Sequence, residues 1–542
     1  MRNATRIVAG AGAAGALLAV SALPAHAASD FSYVEALNGT QLTVLATSGD
    51  TIGGVIWPGT PDGIGVLKGA DGKVTVFINH EFSASDAAVR GLSRAGGTAA
   101  GSTVSAVNLN STATGVTAFR DLLSNVKFWD YATNSYGSKP SAPAGATLVD
   151  QYGTPMHSVN LNRFCSSHLA QPGEMAATVT GKDGKVTQVG YTGPVYFTGE
   201  EGGDESRAFA MNNEGQMVQL PKFGLAGFEN FLNAKDTGTK TVIMADEDNA
   251  ATNSQLRMYV GEKTSTGEWF EKAGLTNGQV YVASVVDAPS DNTYRSKYGK
   301  KSGAIVTFNA LDTSVNGTAQ NTQAQSLGTT FSRIEDGAWD PMHPNDYYFI
   351  TTESNKDKAA TAPNPAEPNT SRDGGALWRL RFADVKNPLN GGAILTMMLD
   401  GTEAPYLSKP DNLEIDKLGN IIIQEDPGAN DHVSRVLAYR ISDGKIGAVA
   451  KFKDMYFAKG ASNFITIDEE TSGVTDVTQV LSQGASDTNE YFLFDAQVHV
   501  PAAQARPDVS AAERAAMSSA IEGGQLYKLT IPASAWATIY AS

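Results

Sequence analysis

Residues Pro194–Glu201 read PVYFTGEE, an aromatic and β-branched run that stops on two adjacent carboxylates. A run of that length and composition reads as a strand. The arrangement recurs five more times. Val74–Asn79 runs into His80 and Glu81, Thr241–Ala245 into Asp246, Glu247 and Asp248, and Tyr347–Thr352 into Glu353. Asn420–Gln424 leads to Glu425 and Asp426, and Tyr491–Phe494 to Asp495. Six acid-tipped strands predict an all-β chain, a six-bladed β-propeller with loop and helical insertions, its acids aimed at one central channel. Such convergence gathers hard cations, because calcium takes about six to eight oxygens that a single short loop seldom supplies.

A second set of runs resembles one another: Gly374–Phe382 (GGALWRLRF), Gly523–Ile531 (GGQLYKLTI) and Ser434–Ile441 (SRVLAYRI). Gln255–Val260 (QLRMYV) and Arg207–Met211 (RAFAM) are looser versions. Each follows an acid-tipped strand and reads as its neighbour in the same blade, a repetition of architecture rather than of strict sequence. On this reading the last run closes the ring beside the first blade. Asp130–Gly145 and the proline-rich Lys356–Arg372 read as loop insertions. Phe228–Leu232 and Ala511–Ile521 are the helix candidates.

The first residues read as an export signal. Arg2 and Arg6 precede an apolar, Ala/Gly-rich stretch from Ile7 to Leu23, and Ala25-His26-Ala27 offers a small-x-small cleavage site. The expected division is a signal peptide over residues 1–27 and a single propeller domain over 28–542. The arginines are not adjacent, which points to the general secretory route and a secreted or periplasmic protein. No other stretch is as apolar, so no membrane partner is expected. The formal net charge of −16 argues against nucleic acid, whose phosphates require basic surfaces. The acidity fits bound divalent cations, and equally fits solubility alone. The one cysteine, Cys165, leaves the fold without an internal disulfide.

Four segments carry chemistry. In Arg333–Pro341 (RIEDGAWDP), Arg333 and Glu335 share one face of a strand, so a guanidinium can grip a phosphate or carboxylate while the glutamate holds a cation. A surface ion pair at a turn is the plainer alternative. Pro410–Asp426 resembles the blade signature of calcium-dependent propeller hydrolases, with Asp411 and Asn412 on a turn and Glu425 on a strand; turn capping alone would account for Asp416. The acids Glu200, Glu201 and Glu247, with Glu81 similar to them, would repel their acidic neighbours without cations between them. Cys165 is either a buried inert thiol or a ligand selecting a transition metal such as iron. The serine-hydrolase elbow, the phosphate-binding lysine loop and the His-Glu-x-x-His motif are absent from the sequence.

Taken with Asn79–Glu81, Thr198–Glu201, Met244–Glu247 and Tyr348–Glu353, these segments resemble the exported PhoX-type alkaline phosphatases over roughly residues 77–430. The resemblance implies a monomeric propeller that hydrolyses small-molecule phosphate monoesters at an iron and calcium cluster. By the same resemblance Cys165 is an iron ligand, and Glu247, Glu335 and one of Glu200 or Glu201 ligate the cluster. Asp411 then ligates calcium and Arg333 binds phosphate. Two departures stand out. Ser166-Ser167-His168 follows the cysteine where the family has a Gly-Gly and Thr-Pro-Trp-Gly-type stretch, and the signal lacks the family's usual twin arginines. A calcium-propeller lactonase or phosphotriesterase, and a calcium-stabilised scaffold without catalysis, are the rival readings.

Overall fold

Each acid-tipped run does form a strand, and each is the second strand of an antiparallel unit of four. The computed structural model describes residues 31–86, 93–94, 97–98, 100–249, 253–353 and 373–541. The expected signal peptide and the loop Lys356–Arg372 lie outside them. Unit one is built on Pro61–Lys68, Val74–His80, Thr103–Leu109 and Val116–Asp121. Unit two begins with Phe164–Ala170, unit three with Phe228–Asn233, unit four with Ile334–Trp339, unit five with Pro410–Ile415 and unit six with Glu469–Asp476. The resembling runs fall where the repetition places them, as third strands: Ala208–Asn212, Arg257–Glu262, Ala376–Phe382, Arg435–Arg440 and Glu522–Ile531.

The six first strands lie against one another in order, and that of unit six lies against that of unit one. Six apolar clusters fill the seams between neighbouring units, one to each. Phe77 of unit one and Phe209 of unit two meet in one seam; Ile350 of unit four and Ile423 of unit five meet in another. Each such side chain stabilises by about 1.5–3 kcal/mol when buried. The chain is thus held together across units and not only within them.

Three connections differ from the sequence expectation. The final run, Glu522–Ile531, pairs with Gln41–Thr47, so an N-terminal strand completes unit six and the ring contact is made by the first strands instead. Phe228–Leu232 is not helical; it lies in the strand Phe228–Asn233, paired with Lys240–Glu247. The neighbouring strand Lys240–Glu247 offers these residues a ready backbone partner. An added strand, Gly303–Ala310, bridges the outer strands of units three and four into one nine-stranded sheet. Ala511–Ala515 is helical as expected, with a Ser510–Glu513 capping box.

The first strands of units one and two approach so closely that Gly63 is obligatory. A Cβ there would lie 2.3 Å from the Ser167 backbone nitrogen. Gly63→Ala is therefore expected to lower stability by about 1–3 kcal/mol. Thermal unfolding followed by circular dichroism reads this directly; an unchanged midpoint would contradict the close packing.

Candidate metal centre

The second residue of every first strand points to the same place. Asp62, Cys165, Glu229, Glu335, Asp411 and Glu470 follow Pro61, Phe164, Phe228, Ile334, Pro410 and Glu469, the residues that begin the six strands. In units one to five the strand pairing breaks register just past this residue, which frees it from the regular ladder. With Glu81, Glu201 and Asp426 these six form four triads that share members. The triads are Asp62, Glu81 and Cys165; Cys165, Glu201 and Glu229; Glu229, Glu335 and Asp411; and Asp411, Asp426 and Glu470. Within each, the candidate ligand atoms lie within 4.8 Å of one another. Eight carboxylates and one thiol that converge in this way can hold metal ions.

The electrostatics fit that use. Asp62, Glu229, Glu335 and Asp411 have their pKa values pushed well above the usual carboxylate range, first by burial and then by the charge of neighbouring acids. Burial and the same neighbours push up the Cys165 thiol. The thiol donates to Asp62 Oδ2 at 3.4 Å, and Gln497 Nε2 donates to the same oxygen at 3.0 Å. Asp62 Oδ1 and Asp411 Oδ1 are buried without a hydrogen-bond partner among the described residues. Orphaned carboxylate oxygens facing a thiol and further acids are what a cation's ligand set looks like when the cation's charge is left out.

Cations of the protein itself sit at the edge. Arg163 Nη2 lies 2.7 Å from Glu81 and 2.8 Å from Glu201. Arg333 grips Asp248 through Nε at 2.9 Å and Nη2 at 2.6 Å, and reaches Glu335 at 3.2 Å. Lys409 lies 3.6 Å from Glu353. Each of these three stands two residues before a ligand of its own unit and has a left-handed backbone, φ 44°, 58° and 42°. That conformation costs about 1–2 kcal/mol for a non-glycine residue.

Of the residues singled out from sequence, Cys165, Glu81, Glu201, Glu335 and Asp411 lie in the cluster, with Arg333 at its edge. Glu200, Glu247 and Glu425 lie elsewhere. Each turns back onto its own unit and pairs with an arginine at the start of the third strand. Glu200 meets Arg207 Nε at 2.7 Å and Nη2 at 2.6 Å. Glu247 meets Arg257 Nε at 2.9 Å. Glu425 meets Arg435 at 2.7 Å and His432 at 2.9 Å. Burial alone would raise the Glu425 pKa, but Arg435 and His432 outweigh it and hold it at about 2. In the dyads Glu200-Glu201, Glu247-Asp248 and Glu425-Asp426 the first acid is thus an anchor and the second faces the cluster or its edge. His80, bonded to Gly59 O and Ser105 Oγ, plays the anchor ahead of Glu81. Asp495 is buried in unit six, outside the triads, with no partner for either oxygen among the described residues.

Sequence reading missed Asp62, Glu229 and Glu470, and of the acids Glu425 and Asp426 at one strand end it chose Glu425. The available signal was an apolar residue, a ligand and then a small or polar residue, as in Pro61-Asp62-Gly63 and Phe228-Glu229-Asn230. The stretch after Cys165 is an ordinary strand, Phe164–Ala170. The 35 positions from Cys165 to Glu200 are occupied by it and by the hairpin of Ala176–Thr180 with Val186–Gly190.

The sequence model of the PhoX alkaline phosphatases matches residues 209–486, and the chain belongs to that family. Its fold is similar to that of PhoX from Pseudomonas fluorescens, solved in complex with vanadate, a transition state analogue. That likeness has TM-score 0.59 at 13% identity and covers 94% of this chain and 97% of that one. The NanB sialidase from Streptococcus pneumoniae covers 91% of this chain and 71% of its own at 8% identity and TM-score 0.35, too loose to argue from. No curated protein matches.

Two predictions follow from the two kinds of acid. Arg257→Ala strands a fully buried Glu247 and is expected to cost about 3–5 kcal/mol in urea unfolding, with bound metal unchanged; lost metal with full stability would contradict the anchor role. In chelator, the raised acids keep protons in the folded state that the unfolded chain has released. Asp248 at about 7 and Glu470 at about 8 lie inside that window. Stability is then fully present below the ordinary carboxylate range and is lost as pH rises toward 8. The unfolding midpoint of the chelated protein should fall between about pH 5 and pH 8, and added divalent cations should restore it. A midpoint that rises with pH in chelator would contradict the cluster's electrostatics.

Proposed function

We propose that the chain is an exported, metal-dependent phosphatase that hydrolyses phosphate monoesters at a metal cluster in the channel of a six-bladed β-propeller. The carrying observation is the convergence of eight carboxylates and a thiol beside an arginine held by two parallel bonds. The six units with contiguous first strands and a filled seam at each junction support the propeller reading. Family membership supports phosphatase chemistry, and vanadate in the P. fluorescens protein supports a site for a transferring phosphoryl group. On this reading residues 1–27 are a signal peptide of the general secretory route, and residues 28–542 are one domain of a monomeric secreted or periplasmic enzyme. Its partners are small phosphate esters, with neither nucleic acid nor membrane among them.

The donor set favours two kinds of ion. Asp411, Asp426, Glu470 and Glu335 offer only oxygens and suit calcium. Cys165, with Asp62, Glu81, Glu201 and Glu229 around it, suits a softer ion such as iron. Bound ions would supply Lewis-acid charge to polarise a phosphoryl oxygen and to neutralise what develops in transfer. Arg333 does the same from the protein side. Asp248 fixes its guanidinium through Nε and Nη2, so that Nη1, which has no partner among the described residues, is aimed without rotamer searching. Glu200, Glu247 and Glu425, each bound to its arginine, keep the dyad partners Glu201, Asp248 and Asp426 in place.

Assay of p-nitrophenyl phosphate against a lactone and a phosphotriester tests the reading; turnover of the monoester alone is expected, and turnover of only the others would overturn it. Arg333→Ala should lower kcat/KM by about a hundredfold or more with folding intact, and an unchanged value would remove its role. Cys165→Ser should lose bound iron by elemental analysis, whereas equal iron in both proteins would remove the thiol from the ligand set.

A further inference from the structure

The sequence singled out Arg333 as the phosphate-binding group, yet the structure contains a second arginine built in the same way. Arg163 stands two residues before Cys165 as Arg333 stands two before Glu335, and both have a left-handed backbone. Arg163 bonds Glu201 and Arg333 bonds Asp248, and Glu201 is a near enough neighbour of Asp248 for its charge to raise the Asp248 pKa. The two guanidinium groups therefore bracket one acid pair, Arg163 from the side of units one and two and Arg333 from that of units three and four. Each is held by Nε and Nη2, and for neither does Nη1 have a partner among the described residues. Their side chains are 42% and 27% exposed, so neither head is sealed in the core.

A plain structural role would be to neutralise Glu81 and Glu201. That role accounts for Nε and Nη2 but leaves Nη1 free to meet a ligand at the edge of the cluster. A guanidinium matches a tetrahedral oxyanion with a spare N–H at fixed direction, whereas carboxylates already bound to it prevent it from swinging away. We propose that Arg163 is a second phosphate-contacting residue, gripping the same phosphoryl group as Arg333 from the other side of Glu201 and Asp248. The ligand class is a phosphate dianion or its monoester. The proposal rests on the phosphatase reading for its ligand, but it concerns binding and can be tested apart from turnover.

Binding of inorganic phosphate to the metal-loaded protein, measured by calorimetry, tests it in the wild type, Arg163→Ala and Arg163→Lys, with bound metal measured in each. Phosphate dissociation constants should rise about tenfold or more in both variants, and KM for p-nitrophenyl phosphate should rise more than kcat falls. Arg163→Lys keeps a positive charge beside Glu81 and Glu201, so its metal content and unfolding midpoint should match the wild type. Phosphate affinity equal to the wild type in a folded, fully loaded Arg163→Lys protein would overturn the proposal. Weakened affinity that only tracks lost metal would also overturn it. If the wild type binds phosphate but turns over no monoester, the phosphatase reading fails while weaker phosphate binding by both variants still sustains the clamp.

Discussion

Mutual repulsion at the meeting point of six strands governs this structure. Two ionised carboxylates 4–5 Å apart repel by about 3–4 kcal/mol even at a generous effective dielectric constant. Four triads of such groups, linked through Cys165, Glu229 and Asp411, would together exceed the whole stability of an ordinary domain. The chain can place them together only by keeping protons on them or by surrounding cations with them. Burial allows the first state and ligand geometry suits the second, so binding of ions there would be linked to folding.

The rest of the architecture resists that strain. Seam clusters between neighbouring units hold the first strands side by side, and contacts such as that of Gly63 on the Ser166–Ser167 backbone set their spacing. Behind the cluster, the pairs Glu200–Arg207, Glu247–Arg257 and Glu425–Arg435 tie the top of each second strand to the third. Their charges are internally compensated, so they add rigidity without adding to the field at the centre. The edge arginines Arg163 and Arg333 are shared between neighbouring units, coupling unit one to two and three to four through the very acids that ions would occupy.

Much of this was legible in the chain and some was misread for a physical reason. Runs such as Val195–Glu200 and Asn420–Glu425 announce strands because β-branched and aromatic residues dominate them, and their sixfold recurrence announced the repeat. The acid at each strand end was correctly noticed, but its direction could not be. Successive residues on a strand face opposite ways, so Glu200 and Glu201 necessarily separate into an anchor and a group facing the centre. Without the partner arginine's position, sequence cannot say which is which. Asp62, Glu229 and Glu470 were overlooked because they stand at the start of their strands, with few β-branched residues beside them. The setting Asp62 and Glu229 share, a register break just past the second residue, is a property of pairing and not of composition. Arg333 was visible from its spacing to Glu335; Arg163 has the same spacing to Cys165, but a cysteine drew attention to itself.

The most direct measurement is an anomalous-scattering map from crystals of the protein purified without chelator. The account predicts discrete peaks at the centre of the six first strands, one within bonding distance of the Cys165 sulfur and others among Glu229, Glu335, Asp411 and Glu470. A centre without ions, its carboxyls protonated and bonded to each other or splayed toward solvent, would contradict it.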